Sequence, residues 1–381
     1  MSALVSEIRA NDFVFPDFNN SNMEVMKQFA LGNGRFTGDR QKKIFLLVDG
    51  LGYHLLKRME KERKGFAQYL KGAEVHKGTT IFPSFTMSVI PTLDSGISVY
   101  ENGMVGEYFP IRELGRVANI FSKFEEEEAN FVYPKAYNVE KIAKRYKFAH
   151  ITTEYVINTA YSNKTFNGLE TKAHISFHDM VIQLTKMVKD GKYDFIYAYS
   201  DLFDHAQHTY TSASYEVEEL LDNALGFMAK LLVPILKANG YNLIITSDHG
   251  HLDFNKDHIV PITPTGGIMD YLAMRPWGSP RALFFDVLGG EEKKFEDTFS
   301  KMYGSKALLI DSEEALRSGL FGNTHNANSA MRYRFGTHMA IAKDHAFFRY
   351  IKPGDNKKPK ERFGHHSGMS KDEMEIPIIV Y

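Results

Sequence analysis

The sequence predicts an α/β fold: a mostly parallel central sheet with helices on both faces, plus an inserted cap. Two observations carry this. Short, β-rich apolar runs alternate with longer amphipathic stretches through residues 41–250. Three of those runs also stop in the same way, at Asp49, Asp201 and Asp248.

Residues 1–40 are polar and read as an irregular N-terminal segment, with Asn19-Asn20-Ser21-Asn22 as a turn cluster. Ile44 to Val48 is a continuous apolar run closed by Asp49-Gly50, the pattern of a strand buried on both faces. Leu55, Leu56, Met59, Phe66 and Leu70 predict an amphipathic helix over 53–71. Phe82-Pro83-Ser84 breaks the chain before a helix from Thr86 to about Leu93, which Asp94-Ser95-Gly96 ends. Residues 101–118 read as a loop, and Glu125 to Glu128 as a solvated acidic face. Strands are expected at 149–153, 195–199 and 242–247, with helices at 171–191 and 213–238.

After Gly250 the pattern changes. Pro261, Pro264, Gly266-Gly267, Pro276 and Pro280 break the chain repeatedly. A strand at 282–287, helices at 291–303 and 311–320, and strands at 340–350 and 376–380 follow. Lys352 to Arg362 reads as a basic loop. The expected organisation is an α/β core from 41–250 and 362–381, interrupted by a cap at 251–361.

Composition narrows the function. With 381 residues, 43% of them hydrophobic and 24% charged, the chain is long enough for one large domain with an insertion, or for two domains. A net charge of -1 provides no global field for duplex nucleic acid or anionic membrane. The absence of cysteine removes disulfides, thiolate metal sites and a cysteine nucleophile. Any metal would rest on histidine and carboxylate. Met1 to Glu7 has no basic n-region or apolar h-region, and no apolar run is long enough to span a bilayer, so a cytoplasmic location is expected.

In open parallel sheets, ligands bind beyond the carboxyl ends of the strands. Three aspartates gathered there would repel one another unless cations neutralised them. Histidines accompany them. His205 stands four residues after Asp201, a spacing that brings both side chains to one side of a helical turn. His249 directly follows Asp248, and His365-His366 precede the final strand. Such a donor set suits zinc or manganese. A hydroxyl held between two such ions becomes a nucleophile at neutral pH, and Thr86 is the candidate.

These residues resemble the alkaline phosphatase superfamily, in its type I phosphodiesterase/nucleotide pyrophosphatase branch. The matching segments occur in family order. They are Leu47-Val48-Asp49-Gly50, Phe82-Pro83-Ser84-Phe85-Thr86, Asp201 with His205, Thr246-Ser247-Asp248-His249-Gly250, and His366-Ser367-Gly368-Met369-Ser370 with Glu373 and Pro377. The resemblance implies an alkaline phosphatase-like core and two divalent ions, usually zinc. Asp201, His205 and His366 would hold one ion; Asp49, Asp248 and His249 would hold the other, with Thr86 facing both. His365 is the alternative to His366. Thr86 would form a covalent phosphothreonine ester, which water then cleaves. The expected substrate is a small phosphate ester or nucleotide.

Val89 stands where the nucleotide pyrophosphatases carry an asparagine. The Phe-Pro-Ser-x-Thr form and the Arg112-Glu113-Leu114-Gly115 loop are more similar to prokaryotic relatives. Phosphonate and phosphomonoester hydrolysis on the same core are alternatives, as is a non-catalytic metal-binding descendant. A sulfatase is disfavoured because neither cysteine nor a Ser-x-Pro-x-Arg segment is present. A phosphoglycerate mutase, despite Asp49-Gly50-Leu51-Gly52, would use a serine nucleophile. Tyr108, Phe109, Trp277 and Arg281 are candidates to pack a base or bind a phosphate.

Overall fold

The run Lys42–Val48 forms β1, buried from Lys43 onward. Its alternate side chains enter two cores, Phe45 and Leu47 on one face, Ile44, Leu46 and Val48 on the other. A strand covered on both faces has no use for polar alternation, which is why the run reads as continuously apolar. The computed structural model describes residues 3–322, 330–351, 354 and 362–381. Most of the expected basic loop at 352–362 lies outside these described residues.

Among the described residues, β1 is joined in one sheet by β2 (Glu74–Thr79), β3 (Phe148–Thr153), β4 (Thr171–His174), β5 (Phe195–Ser200), β6 (Tyr241–Thr246) and β7 (Glu375–Val380). Their order is β2–β7–β6–β1–β5–β3–β4. The strands from β6 to β4 pair in parallel, and β7 runs antiparallel to both its neighbours. The sheet is thus mostly parallel, as the sequence predicts.

Helices cover both faces. On one lie α1 (Tyr53–Glu62), α3 (Phe177–Asp190) and α5 (Tyr215–Leu231), which bury Leu55, Met59, Leu184, Leu221 and Met228 against the sheet. Each such side chain contributes about 1.5–3 kcal/mol when fully buried. The other face packs against α2 (Thr86–Ser95) and the helix Asn22–Leu31. It also meets a second, antiparallel sheet of six strands among the described residues. Four of those strands lie within 277–342, and two, Tyr108–Ile111 and Arg116–Asn119, come from the stretch read as a loop.

Several elements differ from the sequence expectation for local reasons. The N-terminal segment is not irregular: Ala3–Ala10 and Asn22–Leu31 are helices. Ser21 caps the second by accepting from the Glu24 N–H, and Val25, Met26 and Phe29 bury its inner face. The helix expected over 171–191 is strand β4 followed by α3, with Ser176 as its cap. The stretch 311–320 begins as the end of strand Ala307–Asp311, where Asp311 then caps Ser312–Arg317. The single strand expected over 340–350 is two, His338–Ala342 and Phe347–Tyr350, parted near Asp344 at φ 46°. Glu125 and Glu128 form a reciprocal cap at the start of Glu126–Val132, with the acidic run largely exposed.

One buried ion pair ties the second sheet to the core. Arg281 donates from Nε to Glu373 Oε1 at 2.7 Å and from Nη2 to Oε2 at 3.0 Å. Burial alone would raise the Glu373 carboxyl, but Arg281, Ser370 and the Gly368 N–H hold it below its usual value. Arg281→Met leaves that carboxylate buried and unpaired, so it is expected to cost about 3–5 kcal/mol. Urea unfolding checks this; an unchanged midpoint would mean the pair adds no net stability.

Candidate active site

The parallel register sets two carboxylates level. Leu47 pairs with Thr246 and Val48 with Ser200, so β1, β5 and β6 end together. Asp49 and Asp248 follow at adjacent strand ends, both almost fully buried. Asp248 Oδ1 accepts from the Gly50 N–H at 3.2 Å and the His249 N–H at 3.0 Å. Asp49 Oδ2 accepts from Tyr199 Oη at 2.5 Å. Asn22, at the start of the helix Asn22–Leu31, donates to the Ser247 carbonyl at 3.1 Å and so holds the turn.

Asp201 occupies the same level on β5, yet it does not join them. It leaves the strand conformation at φ -96°, ψ 12° and becomes the residue before α4 (Leu202–Thr209). The following turn delivers Asp204 instead. Its N–H donates to the Asp49 carbonyl at 3.1 Å. Gly50 makes this approach feasible: at φ 76°, a Cβ there would sit 2.8 Å from the Asp204 Cα. Asp204 Oδ1 lies 3.4 Å from His208 Nε2 and 3.5 Å from His366 Nε2. His205 is exposed, and neither it nor Asp201 belongs to either convergent donor group among the described residues. The Asp-x-x-x-His pair that faces the site is therefore Asp204 with His208, three residues beyond the pair that the sequence pointed to.

His366 and Thr86 arrive together. Ser84 Oγ donates to the Gly368 carbonyl at 2.8 Å, and the Ser84 carbonyl faces His366 Nδ1 at 3.0 Å. The Phe85 ring stacks on His366 at 5.7 Å. The Phe-Pro-Ser-Phe turn is thus fastened to the histidine loop, and Thr86 opens α2 directly above the strand ends. Thr86 Oγ1 lies 3.0 Å from His249 Nε2. His249 and His366 stack with ring centroids 3.6 Å apart. His365 turns away, pairing in a short strand with Leu252 and packing against Phe254 and Phe347.

Carboxylates and imidazoles crowd together at the centre, and burial is the leading influence on them. Burial, and then repulsion from Asp248 and Asp204, pushes the Asp49 carboxyl well above its usual value. Burial would raise Asp204 too, but His208, His251 and His366 hold it well below. Burial pulls His208 down to about 4, and lowers His249 and His366 as well. Buried Asp49 Oδ1 and Asp248 Oδ2 have no hydrogen-bond partner among the described residues. Orphaned carboxylate oxygens facing imidazole Nε2 atoms fit divalent ions. The donor atoms form two groups, each within 4.8 Å: Asp204, His208, His251 and His366; and Asp49, Asp204 and His249.

The profile of the family described as type I phosphodiesterase / nucleotide pyrophosphatase matches residues 43–367. The chain belongs to that family. Among solved structures, murine ectonucleotide pyrophosphatase / phosphodiesterase 5 is similar at TM-score 0.63 and 17% identity, covering 89% of this chain and 88% of that one. An inactive threonine-to-alanine variant of the murine protein, in complex with AMP, is similar at TM-score 0.62 and 16% identity, covering 89% and 87%. Phosphonoacetate hydrolase from Sinorhizobium meliloti, in complex with phosphonoformate, is similar at TM-score 0.68 and 14% identity, covering 90% of each chain. These likenesses establish an alkaline phosphatase-like fold. No curated protein matches the chain by sequence.

Other features of this phosphodiesterase-family chain lie away from its centre. Val89 is fully buried in the core, so its side chain offers nothing to a ligand. Phe109 and Trp277 are buried, and Trp277 Nε1 donates to the Arg334 carbonyl at 2.7 Å. Arg281 is committed to Glu373, and Tyr108 lies under Arg275. A cavity of about 680 Å³ is lined by residues including Phe124, Asn130, Asn163 and Thr171, and by none of the convergent residues. Asp204, His208 and His251 lie outside the residues that the sequence points to; Asp248-His249-Gly250-His251 carries the signal for His251, since the turn places both histidines inward.

Proposed function

We propose that the chain is a two-metal phosphoric ester hydrolase acting through a phosphothreonine intermediate. Thr86 is the nucleophile. Asp204, His208 and His366 hold one ion; Asp49, Asp248 and His249 hold the other. The position of Thr86 carries this reading: its hydroxyl stands at the start of α2 and contacts His249, a member of the carboxylate-rich donor group. Bound divalent ions, zinc or manganese, supply charge neutralisation for phosphoryl oxygens and acidify the hydroxyl.

The chain's own groups do the rest. Thr86 Oγ attacks phosphorus in line with the leaving alcohol; the Oγ–P bond forms as the ester P–O bond breaks. Water then cleaves the Oγ–P bond and restores the hydroxyl. The N–H groups of Ser88 and Val89 donate to the Phe85 carbonyl, so those of Thr86 and Met87 at the start of α2 are the ones that bind a phosphoryl oxygen as its charge grows. The inactive threonine variant of the murine relative supports the nucleophile assignment. The substrate is a small phosphate ester. Among the described residues no helix is long and apolar enough to cross a membrane.

Phosphonate hydrolysis is the second reading. The burial of Val89 favours it, because α2 presents no side-chain amide there to a nucleotide phosphoryl group. The full chain, loaded with zinc or manganese, is to be assayed on bis-p-nitrophenyl phosphate, p-nitrophenyl phosphate and a phenylphosphonate ester. The expected result is fastest turnover of the diester, lost to chelator and restored by metal. Failure to turn over any of the three would overturn the reading.

A further inference from the structure

Four histidines crowd this centre, and one of them is built differently. His208 Nδ1 lies 2.8 Å from the Gly364 carbonyl, His249 Nδ1 lies 3.0 Å from the Gly250 carbonyl, and His366 Nδ1 lies 3.0 Å from the Ser84 carbonyl. A carbonyl only accepts, so in each ring the proton resides on Nδ1. That leaves each Nε2 with a lone pair aimed inward, the form a metal-binding imidazole takes.

His251 lacks that arrangement. Its side chain is fully buried, and its Nδ1 has no hydrogen-bond partner among the described residues. Leaving an N–H there without an acceptor would carry the full cost of burying it unpaired. A bare nitrogen lone pair is the easier atom to leave unsatisfied. The proton therefore belongs on Nε2, which lies 2.8 Å from Asp204 Oδ1. In this tautomer the ring is a donor to the carboxylate. Three histidines accept at the centre, and one donates.

The acceptor of that bond is Asp204, the residue common to both donor groups. Its carboxylate sits between the two sets of side chains, and its orientation bears on both. We propose that His251 is a positioning residue: its Nε2–H clamps Asp204, the ligand of one ion that also belongs to the donor group around Asp49 and His249. This rests on the two-ion reading above. Two backbone features fix the ring in turn. Gly250 donates its N–H to the Glu373 carbonyl at 2.9 Å, and Leu252 pairs with His365 in the short strand that follows.

The test uses cobalt(II) as the probe. Its affinity is measured by competition with a chromophoric chelator, and its visible absorption reports how many donors surround it. In His251→Ala the affinity is expected to fall about 10–100-fold, as when an outer partner of a ligand is removed. The absorption at saturation stays as in the unmutated chain, because no ligand is lost. His251→Gln, which keeps an N–H donor on the side chain, is expected to restore most of the affinity. If the alanine variant does not fold, His251→Leu provides a donor-free side chain of similar bulk. Unchanged affinity in the donor-free variant would overturn the proposal alone. An altered absorption at saturation with no rescue by glutamine would also overturn it, by making His251 a ligand. No cobalt binding by the unmutated chain would overturn the two-ion reading and this inference with it.

Discussion

Thr86→Ala is expected to reduce phosphodiester turnover by about 10⁴-fold or more while the chain still binds divalent metal. The mutation removes the one hydroxyl placed at the start of α2 beside the His249 imidazole, 3.0 Å away. The surrounding carboxylates and imidazoles stay in place, so ion binding and the fold persist. Thr86→Ser keeps the hydroxyl but loses the methyl group that restricts its rotamers. It is therefore expected to keep measurable activity, within about 100-fold of the unmutated chain. Rapid quenching on a slow substrate, followed by peptide mass analysis, should find phosphate on Thr86. If alanine left turnover intact, water rather than threonine would be the attacking group.

The second large effect separates two overlapping Asp-x-x-x-His pairs. Asp204→Asn with His208→Ala is expected to lower turnover by more than about 10³-fold, since it strips one ion site and disturbs the carboxylate shared with the other. Asp201→Asn with His205→Ala is expected to stay within about threefold of the unmutated chain, the range of surface changes. His205 is exposed, and Asp201 ends β5 outside both donor groups. Parallel kinetic measurements on the two double variants decide between them.

That contrast also marks how far the sequence could be read. The central strands were legible because burial on both faces leaves a continuous apolar run, as in Ile44 to Val48. The meeting of Asp49, Thr86, Asp248, His249 and His366 was legible too. It follows from strand ends aligned by register and from the Ser84 turn that fastens Thr86 to the histidine loop. Asp204 and His208 were not, because the same spacing occurs twice within eight residues, Asp201 to His208. What chooses between them is tertiary. Asp201 abandons extended backbone, and the missing Cβ of Gly50 admits the Asp204 backbone. His251 depended on something finer still, which of its ring nitrogens finds a partner. The N-terminal helix Asn22–Leu31 was hidden because its cap, Ser21, sits inside an Asn-rich turn cluster.

Asp204 and His208, with His366, are proposed to form one of two ion sites beside Thr86. Metal analysis tests this assignment most directly, on chains purified without chelator and loaded with zinc. About two ions per chain are expected in the unmutated protein and in the Asp201→Asn/His205→Ala variant. About one or fewer is expected in Asp204→Asn/His208→Ala. Full metal content in the Asp204/His208 variant, with loss in the Asp201/His205 variant, would contradict the assignment.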